Sequence, residues 1–358
     1  MKHLVPTAVA LALCACGGSS APPAPPTPPS YTWTLATDHA AYAGRDGAGI
    51  VVLNGAAYML GGWRTVNEAE STPNFPETGD WGCCTTSEVW RSTDGVNWAL
   101  LTVAPWTGRH MAGWVAFNGK LWVFGGDSNH GHYMRDAWSS PDGVNWTQEA
   151  SDLPWGNRVL HYAVVFNDAV YVMGGQQLPE SITPAPVPYP TTPTYYSDVW
   201  RSTDGTHWSK IGNMPAAVGM ICGSVVFNGE LWVVGGGQYG DDSLGTAGVA
   251  TNNIWSTADG ITWTVHATPA WSGKRYHNVL VYRNQLWVLA GMGADGGGYS
   301  NEVWHSSDGE TWQQLPSTPW LARHAASAFV LDSALWFTDG TTDDGLEVND
   351  LWQLAETP

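Results

Sequence analysis

Basic side chains are scarce in this chain. Lys and Arg number 14 in 358 residues against 32 Asp and Glu, for a formal net charge of −18. That balance repels polyanions, which excludes nucleic acid and anionic membrane surfaces as partners. Charged residues of either sign make up only 13% of the chain. The surface is therefore expected to be neutral, polar and aromatic, a character that suits carbohydrate. Several chemical signatures are missing as well: there is no glycine loop to cradle a phosphate, no Gly-x-Ser-x-Gly elbow and no zinc-type Cys/His array. Cysteine is sparse, with five in all.

Trp (23) and Gly (42) are plentiful, and both are periodic. One phrase recurs six times, most legibly as Phe117-Asn118-Gly119-Lys120-Leu121-Trp122-Val123-Phe124-Gly125-Gly126, then Ala137-Trp138, then Ser140-Pro141-Asp142-Gly143-Val144-Asn145-Trp146. A tight turn opens at Asn54, Asn118, Asn167, Asn228, Asn284 and Asp332, and a Trp closes a short apolar pair at Trp90, Trp138, Trp200, Trp255, Trp304 and Trp352. A repeat of roughly 50 residues holding four short strands specifies an all-β, six-bladed β-propeller with four-stranded blades. Five units continue through Asp-Gly to a second Trp, and the sixth stops soon after Trp352. Tyr31-Thr32-Trp33-Thr34-Leu35 has the form of the missing strand, so the N-terminus is expected to complete blade six and close the ring. Closure removes exposed sheet edges. Most of the Trp are accounted for by packing between blades.

Over residues 31 to 358 this phrase resembles the kelch-repeat propellers, the family of the galactose oxidase central domain and the bacterial sialic-acid epimerase. The Ser-x-Asp-Gly-x-x-Trp turn, as at Ser92 to Trp98, is also similar to a shortened sialidase Asp-box, there a turn device far from the chemistry. The resemblance implies the fold and leaves function open, because one superfold carries many activities.

Before the repeats, Lys2, the apolar stretch Leu4 to Leu13 and Leu13-Cys14-Ala15-Cys16 read as a bacterial lipoprotein signal, residues 1–15. Cleavage would leave Cys16 as the lipidated N-terminus, carried on a Gly/Ser/Pro-rich tether, 16–30, that cannot pack a core. An ordinary secretory signal is the alternative. Either reading puts the propeller in the bacterial cell envelope, periplasmic or at the surface, touching membrane only through the anchor and expected as a monomer. Of the remaining cysteines, the adjacent Cys83 and Cys84 are candidates for a disulfide in this oxidising setting, although neighbouring Cα atoms are about 3.8 Å apart, closer than a bridge prefers.

With strands A to D running outward from the axis, the A–B and C–D turns share one short, uniform face. The D–A and B–C connections share the other, and three of the latter are long: Trp63 to Ser87, Gln176 to Ser197 and Gly237 to Asn252. Sites usually form on such loops. Five of the 14 basic residues fall at one D–A position, Arg45, Arg109, Arg158, Arg275 and Arg323, and an acid precedes each C-strand Trp at Glu88, Asp136, Asp198, Glu302 and Asp350. Blade four has Gly219 and Asn253 instead. Joint loss of both partners favours ion pairs stapling each blade, with one or two arginines, from Arg109, Arg275 and Arg323, left to face a ligand.

The adjacent position, where the repeats disagree, holds Asp46, His110, Val159, Met220, Tyr276 and His324, followed nearby by His161, Cys222 and His277. Two chemistries fit there. Asp46, His110 and His324 could hold a divalent metal. Alternatively His110, His324 and Tyr276 could act as acid and base, with Arg109, Arg275, Arg323, His161, His277, Asp46 and Trp63 binding the ligand. Tyr276-His277 is similar to the Tyr-His copper-ligand pair of galactose oxidase, but Cys222 is out of place for its thioether partner. His130 and His132, in the blade-two loop, form a second candidate chelate. The expected function is glycan or sugar-acid binding on this face. Catalysis there by a sugar-acid epimerase, lyase or metal enzyme competes with it, and a protein-binding propeller is the third class.

Overall fold

A computed structural model describes residues 30–65, 83–128, 133–177, 193–215, 223–239, 247–294, 297–316 and 318–357, for Thr65, Cys83, Cys84 and Thr357 the backbone alone. Cys14, Cys16, the tether to residue 29, His130, His132, Gly219, Met220 and Cys222 lie outside the described residues. So does any bond between Cys83 and Cys84, whose backbone belongs to a short strand, Cys83–Thr85, paired with Trp63–Thr65.

Six antiparallel four-stranded sheets form the propeller. Blades one to three are Gly49–Leu53, Ala56–Leu60, Glu88–Ser92, Ala99–Val103; Gly113–Phe117, Lys120–Asp127, Tyr133–Ser140, Thr147–Ala150; and Val159–Phe166, Ala169–Gln177, Asp198–Ser202, Ser209–Asn213. Blades four and five are Gly223–Phe227, Glu230–Gln238, Val249–Thr257, Thr264–Val265 and Asn278–Tyr282, Gln285–Leu289, Val303–Ser306, Gln313–Gln314. Blade six is Ser327–Leu331, Ala334–Thr338 and Leu351–Thr357, and its outer strand is the N-terminal Ser30–Thr37, paired in register Trp33 to Leu354. The ring closes as the sequence predicted.

Each A–B hairpin turns on two left-handed residues, for instance Asn54 and Gly55 (φ 50° and 72°) or Asn118 and Gly119 (49° and 71°). Such turns match the twist of the strands they join. The B strands carry the core: Ala56 to Leu60 are all buried, as are Leu286 to Leu289.

The Asp-Gly turns set the distance between blades. In the first, Asp94 Oδ1 accepts the amides of Val96 (2.9 Å) and Asn97 (2.7 Å), and Trp98 Nε1 donates to the Gly95 carbonyl at 3.0 Å. Gly95 has φ of +80°, and a Cβ there would fall 2.4 Å from the Trp336 ring of blade six. Gly143 meets Tyr58, Gly205 meets Trp122 and Gly309 meets Trp232 in the same way. The most repeated glycine outside the hairpins is thus where one blade lies flat on the aromatic of the previous blade.

Candidate functional site at the channel mouth

The arginine ring resolves into staples. Arg109 is fully buried and grips Asp136 with two bonds, 2.5 and 3.0 Å, while Nη1 also donates to the Gly125 carbonyl at 2.9 Å. Arg158 with Asp198 and Arg323 with Asp350 repeat this geometry, and Arg45 holds Glu88 by one bond at 2.8 Å. The next C-strand Trp donates to the same acid, as Trp138 Nε1 does to Asp136 at 2.7 Å. Burial pushes the Asp136 carboxyl up, but the Arg109 hydrogen bond and charge outweigh it and hold the group below the usual carboxylate range. Arg109 and Arg323 therefore do not face a ligand, which corrects that expectation. In blade four Asn253 replaces the acid, and the indole N–H of Trp255 finds no partner among the described residues.

Blade five departs from the expected register by one residue. Its turn is Arg283-Asn284 (φ 48° and 54°), so Arg283, and not Asn284, is the counterpart of Asn54. Counting back, Lys274 stands at the staple position, and Lys274 Nζ indeed pairs with Glu302 at 3.0 Å. Arg275 moves to the place of Asp46, His110, Val159 and His324. Its backbone bridge to Met292 matches those of Asp46 to Trp63 and His110 to Asp127. Tyr276 consequently equals Gly47, Met111, Leu160 and Ala325, and His277 equals His161.

These equivalences explain the two inner histidines. His161 Nε2 lies 3.0 Å from the Phe124 carbonyl and His277 Nε2 lies 2.8 Å from that of Val234, each reaching the preceding blade beside a glycine, Gly125 or Gly235. Burial pushes their imidazoles down to about 3 and about 4. Both are neutral braces between blades, and both also line the channel cavity below the mouth.

Just inside the mouth a chain of backbone bonds runs from blade to blade: Leu160 N to Met111 O, Met111 N to Gly47 O, Gly47 N to Ala325 O and Ala325 N to Tyr276 O, at 2.9 to 3.2 Å. All five residues are left-handed, with φ between 50° and 63°, and four are not glycine. Backbone strain of this kind costs about 1–3 kcal/mol per residue and clusters at functional sites. Met111, Leu160, Tyr276 and Ala325 pack together as a plug. Beneath it the channel holds a cavity of about 240 Å³, lined by inner-strand residues such as Ala48, His161, Ser224 and Asn278.

Above the plug lie the irregular residues. Thr341 Oγ1 donates to Asp46 Oδ2 at 2.9 Å, and His324 Nε2 is 4.0 Å from the same oxygen. Burial pushes the Asp46 carboxyl up to about 6, opposed by the charge of His110 and the Thr341 bond and reinforced by Glu347. Burial, with the Arg275 charge, pushes His324 down to about 4 against a bond to the Thr341 backbone and the Asp343 charge. Tyr299 lies against His324 with centroids 4.5 Å apart, and Tyr276 meets the same ring edge-on at 5.5 Å. Arg275 sits 4.7 Å over the Tyr239 ring and donates to the Gln238 carbonyl at 2.6 Å. Trp63, half-buried, pairs with the Asp46 backbone.

Two further expectations change. No group of three His, Cys, Asp or Glu side chains is gathered closely enough to hold a metal among the described residues, so Asp46, His110 and His324 do not form a triad of ligands. His110 Nδ1 instead lies 3.1 Å from the Asp127 carbonyl. Of the expected acid–base set, Tyr276 and His324 meet ring to ring, but the Tyr276 phenol is bonded to Tyr239 and burial holds it well above its usual range. The close titratable pair is Asp46 with His324. Tyr239, Tyr299 and Thr341 complete the cluster. The repeat pattern does not single out these three, since they reach the mouth from B–C loops and B-strand ends outside the A-strand pattern.

No protein-family model matches this chain, and no curated protein does. A solved structure titled "Structure of YjhT" is similar to it. The two superpose with a TM-score of 0.67 at 15% identity, over 90% of this chain and all of that one. Identity that low carries the fold alone. YjhT and this chain share the propeller scaffold, and the mouth residues must be argued from their own geometry.

Proposed function

We propose that this protein is a lipid-anchored propeller of the bacterial cell envelope whose channel mouth binds a hydroxyl-rich ligand, a glycan or sugar acid. The observation that carries the reading is the contrast between the faces. One repeats the same turn around the ring, whereas the other gathers Asp46, His110, His324, Tyr239, Tyr299 and Arg275 above four strained non-glycine residues. A carboxylate, imidazoles and aromatic rings supply the acceptors and flat apolar faces that hydroxylated rings require. Arg275 is buried against the Tyr239 ring and the Gln238 carbonyl, and from there its fixed positive charge favours an acidic sugar at the mouth.

A second reading, acid–base catalysis at the same mouth, is favoured by one feature. Asp46 and His324 stand 4.0 Å apart, with the carboxyl shifted up and the imidazole shifted down. Opposed shifts in one cleft suit groups that hold and pass a proton.

Screening the protein against glycans and sugar acids, with and without chelator, tests both readings. Saturable binding that His110→Ala and His324→Ala weaken at least tenfold supports the site. Turnover that Asp46→Asn abolishes even at saturating ligand supports the enzyme. Ligands that bind both histidine variants as they bind wild type refute the mouth as the site. Mass spectrometry of the mature N-terminus tests the anchor, which predicts a lipidated Cys16.

A further inference from the structure

Asp339 carries three costs at once. It occupies the position where blades one to four have Gly61, Gly125, Gly174 and Gly235 and blade five has Ala290. Its backbone is left-handed (φ 61°). Its carboxyl is wholly buried, and neither oxygen has a partner in hydrogen-bond geometry. Left-handed backbone and an unsatisfied buried acid each destabilise a fold, so a residue that combines them calls for a role.

Its place is the seam where blade six meets blade one. The surrounding charged and titratable groups are Arg45 from blade one, Arg323 and Asp350 from blade six, and the Tyr42 phenol, with the Ser327 hydroxyl close by. Both arginines are already committed, Arg45 to Glu88 and the Gly61 carbonyl, Arg323 to Asp350 and the carbonyl of Asp339 itself. Two backbone bonds cross the seam here, Gly340 N to Arg45 O at 2.8 Å and Gly47 N to Ala325 O at 2.9 Å. Asp46 and His324, the close pair at the mouth, are the next residues after Arg45 and Arg323.

We propose that Asp339 is a proton-dependent latch: protonated, it is tolerated within the closed seam, and ionised, it competes with Glu88 and Asp350 for Arg45 and Arg323 and loosens the seam beneath the mouth. A buried carboxylate between two satisfied ion pairs, with only the Ser327 hydroxyl beside it, is poorly compensated. In keeping with this, burial pushes its carboxyl up to about 8, opposed by the charges of Arg45 and Arg323. The closed seam gains fully at acid pH, below the ordinary carboxylate range, and the gain drains away as pH rises towards 8. Acid tightens the seam and neutral pH relaxes it. Regulation of the mouth by this route rests on the binding reading above, whereas the latch itself does not.

Hydrogen exchange of the Gly47 and Gly340 amides in the full chain tests the latch without any ligand. After correction for intrinsic exchange, seam opening in wild type is expected to rise about tenfold per pH unit between pH 5 and 7 relative to Asp339→Asn, which cannot ionise. Asp339→Gly, which restores the residue of the other blades, is expected to follow the Asn variant and serves if Asn does not fold. Equal pH profiles in wild type and variant would overturn the latch. Loss of ligand binding in Asp46 or His324 variants would bear on the mouth alone.

Discussion

Arg323 and Asp350 offer the sharpest test of the staples, because blade four already displays the natural double replacement, Gly219 and Asn253. The Arg323 guanidinium is fully buried and donates to Leu321 O at 3.1 Å, Asp339 O at 3.2 Å, and Asp350 at 2.5 and 2.9 Å. Asp350 also accepts from Trp352 Nε1 at 2.7 Å. Asp350→Asn leaves a buried cation without its counter-charge, a change that costs about 3–5 kcal/mol. Arg323→Gly strands the carboxylate and empties the space beside Phe337. Combining them as Arg323→Gly/Asp350→Asn recreates blade four, so the stranded charges disappear and only the lost packing remains. The double variant should be more stable than the summed single losses by about 2 kcal/mol or more, read from urea midpoints and slopes in a double-mutant cycle. Additivity within about 0.5 kcal/mol would refute the pairing argument, and the arginine ring would again be open to a ligand role.

Other expectations follow from the same geometry. His161 is neutral when folded, near 3, and titrates near 6.5 when unfolded. The unfolded chain alone takes up that proton, so stability falls as pH drops from 6.5 towards 3, by up to about 1.4 kcal/mol per unit. His161→Gln should flatten that slope between pH 7 and 5 in urea titrations. Removing residues 30–37 takes the outer strand from blade six, and loss of the cooperative unfolding transition by circular dichroism is expected. Gly95→Ala drives a methyl into Trp336 at a left-handed position, and the melting temperature should drop more than for Gly55→Ala, whose Cβ meets nothing within 4 Å. Lys274→Met should destabilise blade five by stranding Glu302, whereas Glu302→Gln with Lys274→Met should recover part of the loss.

The propeller was legible because its turns, aromatics and glycines are locally determined and recur. Closure was legible for the same reason, since Trp33 repeats the pattern of Trp98 and Trp146. The register of blade five was not, because Asn284 resembles the Asn that opens other turns. One signal was present: seven positions separate Asn54 from Gly61 and Asn118 from Gly125, but six separate Asn284 from Ala290. Measured from Arg283 the spacing is seven, which hands the staple to Lys274 and the mouth position to Arg275. His161 and His277 stood as ligand-binding candidates because each closely follows the variable position. What decides their role lies on the preceding blade, where Gly125 and Gly235 leave room for an imidazole, and a contact between blades leaves no local pattern. Asp339 was visible as a departure from glycine, yet its burial between two arginines depends on packing that only the closed ring provides.

The central claim is that function sits where the repeats disagree, at Asp46, His110, Arg275 and His324, and not in the residues they share. Isothermal calorimetry with the best glycan or sugar-acid hit, comparing Asp46→Asn with the opposite-face variant Asp142→Asn, measures this most directly. The account predicts a loss of at least about tenfold in affinity for Asp46→Asn, the worth of one charge-assisted hydrogen bond, and unchanged affinity for Asp142→Asn. Equal affinity in both variants and wild type would contradict it.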